Sequence, residues 1–261
     1  MIGFNGGLIG GLANARDTST LKSNPGVWTL AEQRKAIFTV PTAWPTSGVT
    51  LPAIGAAFGG GFFAGTISHT ADGVATHALI VAPKATGASG TGYTLTTNYA
   101  WKTTATSTTG TGSSFDGYAN TAAMETAGLA NHPAANFCRG LTIGGFSDWY
   151  YPSHYELDIA YENLKPSTAN NITSFGINPY SVPERTANRT AGAPAQTSVA
   201  AFQSGGVEAF VATGNNHGTS TQNDATSAYW MSIDNGFTAT SNFGVTKTNA
   251  FAVRAFRRVV L

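Results

Sequence analysis

Leu141–Leu157 reads LTIGGFSDWYYPSHYEL, and the reading of the whole chain turns on it. Its second half opens a helix. Ser153 stands at an N-cap position and Glu156 three residues on, the reciprocal pair of a capping box. Leu157, Ala160, Tyr161 and Leu164 then fall at i, i+3, i+4 and i+7, which makes one apolar stripe. Pro166 stops the pattern. Asp148-Trp149-Tyr150-Tyr151-Pro152 is the loop that leads in.

Upstream, Tyr118–Met124 and Pro133–Cys138 read as two short helices or one broken one. Asp116 or Gly117 opens the first, and Pro133 suits the first helical position of the second. Further upstream the pattern turns β-like. Phe58, Phe62, Phe63 and Ile67 surround glycines 59–61 and 65, followed by strands at Ala78–Ala82 and Tyr99–Thr103. Residues 1–52 read as an arm, with a turn at Asn24-Pro25-Gly26 and a short helix capped by Thr29. Downstream, 167–227 is rich in Asn, Thr, Gly and Pro. Its segment Gly214–Asp224 (GNNHGTSTQND) is expected to be the most solvated piece. Strands are expected at Ala228–Ser232, Phe237–Phe243 and Ala250–Val259. Strands, helices, a long excursion and strands again make an α+β domain over 53–261.

Composition narrows the function classes. Of 261 residues 42% are hydrophobic, enough for a core, but only 10% are charged against ~25% in an ordinary domain. Lys plus Arg is 14 and Asp plus Glu 13, for a net charge of +1. A nucleic-acid binder needs a basic stripe that this balance does not supply. No run of 18 apolar residues is present, so no membrane insertion is expected. The one cysteine, Cys138, excludes an internal disulfide and reads as a buried small hydrophobe. The opening MIGFNGGLIGG lacks a basic segment and a cleavage site, so export by signal peptide is not expected.

Leu141–Leu157 resembles the Gly-Gly-Phe-x-Asp-Trp-x-x-Pro-Ser-x-x-Glu-Leu signature of a domain family found at the C-termini of phage tail fibres and bacterial adhesins. Ala53–Ile67, Ala78–Lys84, Ala193–Phe210 and the closing Ala252–Val259 (AVRAFRRV) are similar to other segments of that family. One departure lies at Tyr229, where the family's Tyr-Trp-Ser-Ser-Thr-Glu reads Tyr-Trp-Met-Ser-Ile-Asp here. Gly26–Pro45 resembles a segment near the start of phage structural proteins. The resemblance implies a C-type-lectin-like fold, related to the formylglycine-generating enzyme: a twisted antiparallel sheet, two main helices and long loops. It also implies that the terminal strands of the domain lie together.

Each candidate site carries two readings. Trp149 is a ring for stacking on sugar faces or a core plug, with Asp148 capping local amides; the plug is the reading adopted. Asp148, Trp149, Pro152, Ser153, Glu156, Trp230, Arg254 and Arg258 are therefore assigned to architecture. Glu156, Asp158 and Glu162 read as a capping box and a solvated face, not a paired acid and base. Arg254 and Arg258 share one face of a closing strand and Arg257 takes the other. One of the three is expected to pair with a buried carboxylate such as Asp148 or Glu156. His69, His77, His132, His154 and His217 lack metal-ligand spacing, and Gly214–Asp224 holds one carboxylate, so neither a metal nor a cofactor is expected.

The best recognition candidates are Asn215, Asn216, His217, Tyr229, Asp234, Asn235, Ser241 and Asn242. Short hydrogen-bonding and aromatic side chains of this kind make adaptable contacts at low entropic cost. In related phage tips the ligand face comes from the C-terminal region, which the resemblance carries over. The expected protein is a non-enzymatic virion protein, a tail-fibre or tail-tip adhesin for a host-surface glycan or protein. Residues 1–52 would dock it to other virion proteins or sister chains, as a homotrimer by analogy. The alternatives are a capsid decoration protein and, remotely, an enzyme using Cys138.

Overall fold

The computed structural model describes residues 9–10, 26–27, 49–211, 216–238 and 245–261. The chain divides into two units, Met1–Thr50 and Leu51–Leu261. In the first, Ile9–Gly10 (β1) pairs antiparallel with Gly26–Val27 (β2). The Thr29 helix expected in the arm lies outside the described residues.

The second unit is α+β. It runs through Ala57–Phe58 (β3), Gly61–Ile67 (β4), His77–Val81 (β5), Lys84–Gly87 (α1), Ala88–Ser89 (β6) and Tyr99–Ala100 (β7). Helices Gly117–Thr126 (α2), Pro133–Arg139 (α3) and His154–Leu164 (α4) follow, then Ser181–Val182 (β8). The chain ends with Asn216–Gln222 (β9), Ser227–Ser232 (β10), Val245–Thr246 (β11), Ala250–Phe251 (β12), Val253–Arg254 (β13) and Phe256–Val260 (β14). The main sheet has the order β14-β5-β4-β3, with β8 also on β4. Beside it lie the sheet β11-β10-β9 and the two-stranded pairs β12-β7 and β13-β6.

β5 explains the layering. Its sequence HALIV has no polar position after His77, so both faces of the strand are buried. Leu79 and Val81 join one core with Leu157, Ala160, Tyr161 and Leu164 of α4. Ile80, with Ala82 just beyond the strand, joins another with Met124, Ala134, Ala135, Cys138 and Trp149. The stripe expected on α4 is thus the face that meets the sheet, and α2 and α3 supply the second core.

Three expectations need correction. Most of Gly214–Asp224 is not solvated as expected: Asn216–Gln222 is a strand whose five central residues are buried, while Gly214 and Asn215 lie outside the described residues. The strand's side chains find partners inside. Thr219 Oγ1 donates to the Tyr229 carbonyl, Thr221 Oγ1 to the Ser113 carbonyl, and Ser220 Oγ accepts from Asn120 Nδ2. Hydroxyls satisfied in this way bury at little cost, which composition alone does not reveal. Tyr99–Thr103 keeps only two residues of strand, because Trp101 turns into the second core. Ala250–Val259 is not one strand but three, on β7, β6 and β5 in turn. At the breaks, Ala252 N donates to the Asn216 carbonyl and Ala255 N to the Gly87 carbonyl. Of the strand expected at Phe237–Phe243, Thr238 makes a single bridge to Met231, and 239–244 lie outside the described residues.

Candidate functional site

The sequence motif builds the frame around the site. Trp149 is fully buried, and its Nε1 donates to the Phe146 carbonyl at 3.0 Å. Pro152 and Ser153 are buried at the start of α4, where the capping box closes. Glu156 is buried too, and four donors meet its carboxyl: Ser153 N at 2.7 Å, Ser153 Oγ at 2.8 Å, Tyr150 Oη at 2.7 Å and Gly117 N at 3.1 Å. Gly117 is required there, since a Cβ would stand 2.3 Å from Glu156 Oε2. Burial pushes the Glu156 carboxyl up to about 7, against the pull of the Ser153 and Tyr150 hydrogen bonds.

One of the expected pairings forms, between Arg257 and Asp148, and the other charged partners differ. Among the described residues no arginine pairs with Glu156. Asp148 does not cap local amides; it accepts from Arg257 Nε at 2.5 Å, and with its side chain 44% exposed it is not a buried carboxylate. Arg254 is fully buried against Glu208, at 2.9 Å, and the Ala82 carbonyl, at 2.7 Å. Arg258 pairs with Asp116 at 2.7 Å. Asp158 and Glu162 do not form a solvated face: both pair with Arg185 and Arg189. Those two arginines come from the long excursion and tie it to α4. Burial lowers Arg185 to about 9 and Arg189 to about 10.

The expected recognition residues do not form one face. Asn215, Ser241 and Asn242 lie outside the described residues. Asn216 and His217 belong to β9. His217 is fully buried, with Nε2 2.7 Å from Tyr93 Oη, so it cannot be the histidine that touches an outside molecule. Burial lowers it to about 3. Asp234 accepts from Ser167 Oγ at 3.0 Å, and Asn235 accepts from Phe237 N, so both serve a turn. Trp230 stacks on Phe251 at 5.9 Å, an architectural contact.

Tyr229 alone of this set leads to a surface feature. Its ring lies on His154 at 5.2 Å and 10°. His154 stacks on Tyr155 at 4.7 Å, and Tyr155 meets Tyr180 at 5.6 Å. Tyr180 stacks on Phe115 at 4.1 Å and 13°. Phe115 meets His69 edge-on at 5.3 Å, and His69 lies 4.3 Å from His77. All seven residues are half-buried. They come from β10, the first turn of α4, the excursion, the approach to α2 and the β4–β5 hairpin. No local sequence signal announces this, because ring neighbours stand up to 75 residues apart in the chain.

The hydroxyls of Tyr155, Tyr180 and Tyr229 have no protein partner among the described residues. Burial, then Tyr180 and Tyr229, raises the Tyr155 phenol, so it stays protonated at neutral pH. Burial lowers His154 to about 3, assisted by Arg189 and Arg185, so its imidazole is neutral. Burial and the neighbouring His69 lower His77 to about 4. The nearby full charges, Asp158 with its arginines and Asp116 with Arg258, are already paired.

Other chemistry is not assembled. Cys138 is fully buried and its thiol is pushed well up, so it offers no thiolate. Among the described residues no group of three or more His, Cys, Asp or Glu side chains is placed to hold a metal ion. Comparison with family models, with curated proteins and with solved structures returns no match.

Proposed function

We propose that this chain is a structural protein of a bacteriophage particle, with residues 53–261 a C-type-lectin-like domain that attaches the particle to its host. In this reading residues 1–52 dock to other virion proteins, and the domain works as a homotrimer at the tail. The observation that carries it is the arrangement around the motif. The closing strand Phe256–Val260 lies beside His77–Val81, which lies beside the opening strand Gly61–Ile67, and the capped helix packs on that sheet. Terminal strands joined in one sheet under a motif helix are what the resemblance implies. Spending Trp149, Ser153 and Glu156 on that frame leaves the outer rings and loops for recognition. Several copies would turn weak single-site binding into firm attachment.

Among the described residues six large apolar residues are exposed, Val207 at 77% and Val260 at 65% among them, which fits a second reading. In it the domain packs on neighbouring subunits as a capsid decoration protein. Immunogold electron microscopy of intact particles decides between the two. Gold at the tail is the expected result; gold over the capsid replaces attachment with decoration. Protein found only in the lysate, with no gold on particles, overturns both.

A further inference from the structure

We infer that the ring series Tyr229–His154–Tyr155–Tyr180–Phe115 is a binding site for an uncharged saccharide, an inference that rests on the attachment reading above and names its ligand class.

Three features select that chemistry. The first is the mixture of surfaces. Rings offer apolar area to sugar C–H groups, and tyrosine supplies it at low conformational cost because only two torsions must be fixed. Tyr229 ends the series: among the described residues its ring contacts His154 and no other ring, and the residue is half-buried. The second is the row of unused hydrogen-bonding groups. The hydroxyls of Tyr155, Tyr180 and Tyr229 lack protein partners among the described residues. Each donates and accepts, which matches a sugar hydroxyl, itself both donor and acceptor.

The third is charge. The carboxylates and guanidinium groups nearest the rings are committed to one another. Arg185 and Arg189 hold Asp158 and Glu162, and Arg258 holds Asp116. An anionic or cationic ligand would have to compete with those pairs, whereas a neutral one would not. The site is also fixed before any ligand arrives. Tyr155 lies in the first turn of α4, and Tyr180 is pinned because its backbone N–H donates to Asn178 Oδ1 at 3.1 Å. Asn178 in turn donates to Asp158 Oδ2 at 2.9 Å. Binding there does not have to order a mobile segment.

The test uses the full chain. Purified protein is applied to an array of neutral and acidic bacterial surface oligosaccharides and, separately, to host cells before and after protease treatment. Variants Tyr155→Phe and Tyr180→Phe remove only hydroxyls and keep the stack, so the fold survives; Tyr229→Ala removes the ring that ends the series. The expected result is binding to a neutral oligosaccharide, weakened tenfold or more in Tyr155→Phe/Tyr180→Phe and in Tyr229→Ala. Saccharide binding unchanged in all three variants overturns the site. Preference for acidic oligosaccharides overturns the ligand class. Attachment to cells that protease abolishes, with no array binding, overturns the inference and leaves the attachment reading with a protein receptor. Absence of both cell and array binding overturns the inference and the attachment reading together.

Discussion

The main sheet and the excursion Lys165–Val211 solve the same problem with different materials. In the sheet, β4, β5 and β14 share continuous ladders, and apolar side chains fill the space on either side. In the excursion the one strand of the main sheet is Ser181–Val182, and side chains take over the work of ladders. Asn171 Nδ2 donates to the carbonyls of Thr190, Ala191 and Pro194, while its Oδ1 accepts from Tyr161 and Lys165. Asn178 Oδ1 accepts from Tyr180 N and Ser181 N. Gln196 and Gln203 donate to the carbonyls of Pro166 and Thr197. Arg185 and Arg189 then fasten the whole to α4. A polar composition therefore does not mean a solvated segment: it is also what a loop needs if its own side chains must satisfy its backbone.

The largest effect is expected where the apolar half is opened. Trp149→Ala removes a fully buried indole from between the sheet and α3, at a cost of about 3–5 kcal/mol. Thermal denaturation should show one cooperative transition of Leu51–Leu261 shifted down by roughly 10 °C. A shift under about 2 °C would show that Trp149 is not the plug of this core.

Next comes the acid in the apolar half that has no paired arginine among the described residues. Glu156 is held up at about 7 by burial, against an ordinary 4.5. Below 4.5 folded and unfolded chains both carry the proton. Between 4.5 and about 7 only the folded chain does, so stability falls as pH rises through that window and levels above it. The loss is on the order of 3 kcal/mol. Urea denaturation at pH 5 and pH 8 measures it, and Glu156→Gln should abolish this part of the difference. An identical pH difference in wild type and variant would assign it to another group.

What could be read from sequence divides along the same line as the two regions. The capping box at Ser153 and Glu156, the stripe Leu157 to Leu164, the Asp116 cap and Pro133 at a helix start are local patterns, each complete within about two turns. The structure realises all of them. The motif frame was legible for the same reason. The ring series was not, since Phe115, Tyr155, Tyr180 and Tyr229 meet only after the chain has folded. Nor was the burial of His217, whose partner Tyr93 lies 124 residues away. Asp158 and Glu162 looked solvated because the arginines that neutralise them stand in the excursion, outside any helical spacing.

Those arginines allow the excursion to be loosened alone. Arg189 bonds Asp158, Glu162 and the Gly236 carbonyl, and its side chain is 2% exposed. Removing one partner of a buried pair usually costs about 3–5 kcal/mol because a charge is stranded. Here Arg185 stays on Asp158, so Arg189→Met should cost only about 2 kcal/mol. The cost should fall on one region. Hydrogen exchange at backbone amides of the excursion, such as Asn171, Asn178 and Arg185, should quicken roughly 30-fold, while those of β4, β5 and β14 keep their protection. Arg189→Met leaves Asp158 and Glu162 sharing Arg185, and adding Asp158→Asn removes that excess negative charge, so the double variant should cost less than the sum of the two single ones. Equal loss of protection in sheet and excursion would mean that the two regions open as a single cooperative unit, and the contrast between them would then describe composition but not stability.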